Sequence, residues 1–369
     1  MRGLLLSAYD AASHQSWREG LVSSLNHIDW TELIMPARHF SWRIRGNSLY
    51  FAEEIQALDQ NFDFILATSM VDLATLKGMV PKLASIPCLV YFHENQFSYP
   101  LGSSAKFSLE PAMVNFYTAM AADQLLFNSE FNKATFFAGL SDLLKRLPDY
   151  VPNDICENLS GKSSVVPVGL NNDVFIKPQV TNVGAAKAPR QVVWNHRWEY
   201  DKGPERLLAL VAALPESLDL RFHILGQRFR REPECMAKLH HLLLSRAWLG
   251  EWGPIEQRSD YLKVLASSDF VLSTSLHDFQ GLAVLEGAAL GCTPIVPDRL
   301  AYKEFIPEHL RYKTCLDVDA EAQHAAALLT SLLTSGEGRP QVAQACLRWA
   351  ELKPLYEAAI IKSLEKPIS

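Results

Sequence analysis

Two groups of charged side chains in the second half of the chain have the types and spacing of an anion site. Arg197 and Lys202 lie five residues apart in the run Trp194–Gly203 (WNHRWEYDKG). A guanidinium grips phosphate oxygens through two parallel hydrogen bonds, and an ammonium adds a point charge. Further on, Asp278 precedes Phe279, Gln280, Gly281 and Leu282, where an apolar segment containing Glu286 begins. A helix starting at Gly281 would turn its first N–H groups and positive dipole end toward an anion. Asp278 and Glu286 would then lie roughly 10 Å apart along the helix axis. That spacing suits one carboxylate on a hexose and the other on a ribose, with a diphosphate between them. The plainer alternatives are two solvated cations, a helix-capping Asp278 and a buried Glu286 satisfied by a neighbour.

The first half carries a second polar cluster. His93, Glu94, Asn95 and Gln96 follow the apolar run ending in Tyr91-Phe92 without interruption. Four adjacent hydrogen-bonding side chains at a strand end suit the binding of a sugar or an acceptor. Asn128, after Gln124–Phe127, occupies a similar position. Ser13 and His14, in Tyr9-Asp10-Ala11-Ala12-Ser13-His14, fall at the first strand-to-helix junction, where small residues permit close backbone approach and Ser13 has the chemistry of a helix cap. Gly226 and Trp252-Gly253 also follow candidate strands. In Pro36–Arg45 (PARHFSWRIR), Arg38, Arg43 and Arg45 interleave with aromatics including Trp42, a pattern that binds phosphates and stacks on bases. An exposed loop with solvated arginines is the other reading.

Alternating β and α elements must position these groups. Apolar runs at Leu4–Ala8, Phe62–Ala67, Cys88–Phe92, Gln124–Phe127 and Ser164–Val168 read as strands, separated by helical patterns such as Ser13–Leu25 and Phe131–Leu140. The rhythm resumes at Gln191–Asn195, Leu220–Leu225, Trp248–Gly250, Phe270–Ser273 and Thr293–Val296. Such alternation implies an α/β protein with parallel sheets, whose ligands bind beyond the carboxyl ends of the strands. Residues 177–190 (KPQVTNVGAAKAPR) read as a linker between a first domain, 1–176, and a second, 191–340. A C-terminal helix is expected over 341–369.

The length of 369 residues suits two domains, and 48% hydrophobic residues provide for their cores. The net charge of −6 argues against a general nucleic-acid coat protein but leaves room for a local basic patch. Six scattered cysteines without metal-ligand spacing read as reduced thiols, pointing to the cytoplasm. No apolar run is long enough to span a bilayer, and Met1–Leu6 reads as a buried strand rather than a signal peptide.

Arg197 with Lys202, and Asp278 with Glu286, together resemble the donor site of retaining GT-B glycosyltransferases. The resemblance implies two facing Rossmann-like domains with a C-terminal helix. Arg197 and Lys202 would stabilise the leaving diphosphate, Asp278 would touch the donor sugar and Glu286 the ribose. Asp278 stands where that family usually has Glu, one methylene longer. His93 matches the family's cleft histidine, and Ser13, His14, Gly226, Trp252, Phe279, Gln280, Gly281 and Leu282 fall where it surrounds the donor. The segments SAYDAASH, PARHFSWRIRGNSLYF, YFHENQ, WNHRWEYDK, HDFQG and WAELKPLY are together similar to the tRNA-queuosine α-mannosyltransferases. That similarity implies GDP-mannose as donor, queuosine in tRNA as acceptor, and neither cofactor nor metal. Arg38, Trp42, Arg43, Arg45, Glu94, Asn95, Gln96 and Asn128 would then serve the acceptor. The alternatives are another donor sugar with a small-molecule or lipid-linked acceptor, a non-catalytic reader of modified tRNA or nucleotide sugar, and a sugar-nucleotide epimerase.

Overall fold

The computed structural model describes residues 1–98, 109–176, 188–229, 232–334, 342 and 344–365. Of the expected linker, only 188–190 lies among them. Residues 1–169 with 347–369 form one compact unit, and residues 170–346 form another.

The first unit is built on six parallel strands: β1 (Arg2–Asp10), β2 (Asp29–Pro36), β3 (Phe64–Thr68), β4 (Cys88–Phe92), β5 (Gln124–Phe127) and β6 (Ser163–Val165). Their order is β2-β1-β3-β4-β5-β6. β3, β4 and β5 are buried throughout, which explains their largely apolar sequences, since helices cover both faces of a parallel sheet. β6 stops at Val165, short of the expected Val168, just before Pro167, which has no N–H to donate to a ladder. β2 was not among the expected strands. It is an edge strand of mixed polarity whose only fully buried residue is Met35.

The second unit repeats the plan with β7 (Arg190–Asn195), β8 (Leu220–Leu225), β9 (Leu249–Gly253), β10 (Phe270–Leu272), β11 (Thr293–Pro297) and the two-residue β12 (Arg311–Tyr312). Their order is β12-β11-β10-β7-β8-β9, again all parallel. The chain runs from β7 outward through β8 and β9, then returns to β10 on the other side of β7. The gap between the β7 and β10 ends is therefore the topological switch point, where open α/β sheets take their ligands. β9 lies further along the chain than the expected Trp248–Gly250, and so Trp252 falls inside the strand.

The C-terminal helix, Trp349–Leu364, belongs to the first unit. Trp349 lies against Gly20 and Gly169; a Cβ at either position would overlap its indole. Seven residues on, the buried Tyr356 hydroxyl donates to the Pro167 carbonyl (3.0 Å) and accepts from the Trp17 indole N–H (3.0 Å). Among the described residues, no helix is long and apolar enough to cross a membrane. All six cysteines are free.

Replacing Tyr356 with Phe would leave a buried indole N–H and a buried carbonyl without this partner. We expect Tyr356→Phe to destabilise the first unit by about 1–3 kcal/mol, read from the urea unfolding midpoint at constant m-value.

Candidate active site

In the second unit, the loops after β7 and β10 are tied together at the switch point. Gly203 closes the β7 loop with φ +66°, and a Cβ there would overlap the Thr274 carbonyl oxygen of the β10 loop. The helix Pro204–Ala213 then begins on a proline, whose fixed φ suits a first turn. Thr274 donates its hydroxyl to the Lys202 carbonyl (2.9 Å), and the Leu276 and His277 N–H groups both donate to the Asp201 carbonyl. Gly226, at φ +118°, brings the loop after β8 equally close, because a Cβ would overlap the His196 carbonyl oxygen.

Lys202 sits at the centre, its side chain 12% exposed. Its ammonium donates to the His277 carbonyl (2.9 Å) and pairs with Asp201 (3.3 Å) and Asp278 (3.4 Å). Burial alone would lower the Lys202 pKa, but Asp278 and Asp201 outweigh it and raise it, so the cation is secure at neutral pH. Asp278 mirrors this. Burial pushes its carboxyl up, but Lys202, His196 and the Gly281 N–H together hold it below the ordinary carboxylate value.

Asp278 does not cap the helix Leu282–Ala289, whose N-cap residue is Gly281; it closes the turn before it, accepting from the Gly281 N–H at 3.0 Å, while its other oxygen accepts from the Tyr302 hydroxyl at 3.2 Å. Gly281 adopts φ +79°, and a Cβ would strike the Tyr302 ring. Phe279 and Gln280 are buried beneath this turn and Leu282 is half-buried. Glu286, four residues further along the helix, meets Arg258 (2.7 Å) and the Tyr261 hydroxyl (2.9 Å). Arg258 in turn grips Asp173 (3.0 and 3.2 Å), and Tyr261 accepts from the Asn195 amide (2.8 Å). Arg197 is 45% exposed and pairs with Glu199 at 2.9 Å. Trp252 packs edge-on against Trp198 and His240, and Arg228 lies over the Trp198 ring. The Asn195 Oδ1 and His196 Nε2 atoms are buried at the end of β7 without a partner among the described residues.

In the first unit, the ends of β1 and β4 converge across β3. β1 runs to Asp10 and the following helix starts at Ala12, so the expected small-residue loop shrinks to Ala11. Ser13 therefore does not cap the helix. It is exposed in the first turn, and no side chain caps that terminus. His14 is buried; its Nε2–H donates to Glu94 (3.2 Å), and its ring stacks on His93 with centroids 4.0 Å apart. Trp17 and Tyr91 enclose His93 on other sides. Burial, reinforced by the nearby His14, drives the His93 pKa well below the usual imidazole value. His14 Nδ1 and His93 Nε2 are buried without a partner among the described residues.

The neighbouring amides face inward. Asn95 is fully buried; it donates to Asn132 and Thr135 and accepts from the Phe97 and Ser98 N–H groups. Asn128 donates to the His93 carbonyl and accepts from Asn132. These side chains hold the loop instead of presenting a surface. Gln96 is half-buried, with its N–H on Asn115. Pro36–Arg45 is mostly helix, because Phe40–Ala57 is helical and His39 caps it in the left-handed region. Trp42 and Arg38 are exposed, Arg43 is buried, and Arg45 is tied to Asp72 (2.7 Å) and Glu110 (3.2 Å).

Sequence reasoning missed Asp201, Tyr261, Arg258, Tyr302 and Asn132. Only Asp201 had a local signal, its adjacency to Lys202. Among the described residues, no group of His, Cys, Asp or Glu could hold a metal ion.

Two parallel six-stranded sheets and a C-terminal helix that rejoins the first unit define a GT-B glycosyltransferase. Sucrose-phosphate synthase from Thermosynechococcus elongatus shares this fold, with a TM-score of 0.69 and 15% identity over 98% of this chain and 97% of that one. So does Anabaena HepE, solved with UDP and glucose, at 0.67 and 13% over 98% and 99%. Residues 2–170 match the family described as tRNA-queuosine alpha-mannosyltransferase N-terminal, and residues 177–348 match Glycosyl transferases group 1. The Drosophila melanogaster tRNA-queuosine alpha-mannosyltransferase is 34% identical over 317 residues, 84% of this chain and 83% of the relative. The chain belongs to the tRNA-queuosine α-mannosyltransferase family.

Burial also lowers the pKa of His196 and of His223, each to about 4. His223 accepts the Glu251 N–H on its Nδ1, a bond that protonation would break. With His93, these imidazoles take up protons in the unfolded chain near pH 6.5, but in the folded protein only at much lower pH. Their contribution to stability is therefore complete above pH 6.5 and lost as pH falls. Each should add up to about 1.4 kcal/mol per pH unit to the slope of unfolding free energy below that point. Urea titrations between pH 7 and pH 5 should show this slope, reduced by one histidine's share in His93→Asn.

Proposed function

We propose that this enzyme transfers mannose from GDP-mannose, with retention of anomeric configuration, to queuosine in tRNA. The carrying observation is the Lys202–Asp278 pair at the switch point, set against the helix start at Gly281, in a chain of this family.

The diphosphate of the donor lies against Gly281 and Leu282, with Arg197 and Lys202 meeting the charge that develops as it departs. Asp201 and Asp278 keep Lys202 protonated before the donor arrives, and Lys202 in turn keeps Asp278 ionised as an acceptor for sugar hydroxyls. Glu286, oriented by Arg258 and Tyr261, receives the ribose hydroxyls. In the first unit, His93 and Glu94 serve the sugar and the acceptor, while Asn95 and Asn128 fix the loop that carries them. The acceptor oxygen bonds to the anomeric carbon on the face the phosphate leaves. The anomeric carbon–phosphate oxygen bond breaks, and the hydroxyl proton passes to the departing phosphate oxygen. No protein nucleophile is needed. The tRNA backbone is drawn by the exposed Arg38 and Arg45, whereas Arg43, expected beside them, is buried and takes no part.

Radiolabelled GDP-mannose incubated with tRNA prepared with and without queuosine tests this reading. We expect label only on queuosine-containing tRNA, with the α-linkage retained. Arg197→Ala and Lys202→Ala should each lower kcat by roughly 10²–10³-fold. An inverted linkage, or equal labelling of both tRNA pools, would refute the proposal.

A further inference from the structure

The segment around Pro36–Arg45 has a feature that donor chemistry does not use. Trp42 is 61% exposed, whereas the other seven of the chain's eight tryptophans are buried or half-buried. Its indole does not hang free. The ring lies over Gly46, one helical turn later, where a Cβ would overlap indole atoms including Nε1. The missing side chain thus lets the ring rest against the helix backbone. A glycine inside a helix and an indole left in water both disfavour folding, so stability does not account for the arrangement.

The segment's own charges are basic. Residues 36–52 contain Arg38, His39, Arg43 and Arg45 and no acid, in a chain of net charge −6. Asp72 and Glu110 hold Arg45 from other elements. Arg38, exposed just before the helix, has no ion pair among the described residues. Leu49, two turns after Trp42 and also exposed, extends the apolar face.

We propose that Trp42, seated on Gly46 in a segment that exposes Arg38 and Arg45, is a stacking platform for an unpaired base of the RNA acceptor, an inference that rests on the tRNA reading above. An enzyme that modifies a base within an RNA loop must hold that loop with its bases unstacked, and an aromatic face replaces the lost stacking for any base. The basic border suits a polyanion and disfavours a neutral apolar protein partner.

The test is steady-state kinetics on queuosine-containing tRNA with wild type, Trp42→Ala, Trp42→Phe and Gly46→Ala. Trp42→Ala should raise KM for tRNA roughly ten- to hundredfold, with KM for GDP-mannose and the rate of donor hydrolysis in water unchanged. Trp42→Phe should restore most of the loss. Gly46→Ala should lift the ring and raise KM for tRNA without lowering Tm, since alanine favours the helix, which separates this role from a structural one. An active wild type with the same KM for tRNA in Trp42→Ala would overturn the platform alone, and a changed self-association with unchanged tRNA kinetics would assign the face to a protein contact instead. A wild type inactive on queuosine tRNA would overturn the acceptor reading, and the platform with it.

Discussion

The second unit depends on one buried ammonium. Lys202 lies among Asp201, Asp278 and the His277 carbonyl, and these contacts join the ends of two strands that are neighbours only in space. Removing one partner from such a buried group strands the other charge, a loss of about 3–5 kcal/mol in comparable cases. The constraint spreads outward. Asp278 is fixed by Lys202 and so can accept the Gly281 N–H; Gly281 fits because it has no side chain to strike Tyr302; and the Gly203 turn fits closely against Thr274. The start of the helix Leu282–Ala289 is thereby held in place by the protein's own groups, the kind of preorganisation that electrostatic stabilisation of an anion requires.

The first unit solves the same positioning problem without net charge. Asn95, Asn128 and Asn132 bond to one another and to the backbone at His93 and Phe92. Such a saturated amide network is rigid, because each buried polar group would lose its partner on any displacement. Above it, burial keeps His93 neutral, and His14 is joined to Glu94. A neutral imidazole can accept or donate to a hydroxyl without adding a charge that a sugar does not carry. The two units thus differ in kind, with clustered fixed charges at the strand ends of one and, in the other, amides and a neutral imidazole beside the Glu94 carboxylate.

What was legible in the sequence was local. Apolar runs such as Phe62–Ala67 and Cys88–Phe92 announced buried parallel strands, found at Phe64–Thr68 and Cys88–Phe92, because a strand covered on both faces is largely apolar. The polar residues just after those runs marked the strand ends, and the close backbone approaches at Gly203, Gly226 and Gly281 appeared only in the structure. β2 and β12 escaped notice for the same reason: one is a mixed edge strand and the other is two residues long, so neither has a periodicity to read.

The tertiary structure decided which groups meet. Arg258 and Tyr261 reach Glu286 from 28 and 25 residues away, and Tyr302 reaches Asp278 from 24. Trp349 and Tyr356 rejoin the first unit at Gly20, Gly169 and Trp17, across most of the chain. Asn95 and Glu94 are adjacent in sequence, yet one is sealed in the core and the other stays partly open. Type and spacing encode the backbone conformation and the chemistry each segment offers. Whether a carboxylate is a cap, an ion-pair partner or open to ligand depends on groups brought beside it by packing, and packing is set by the whole chain at once.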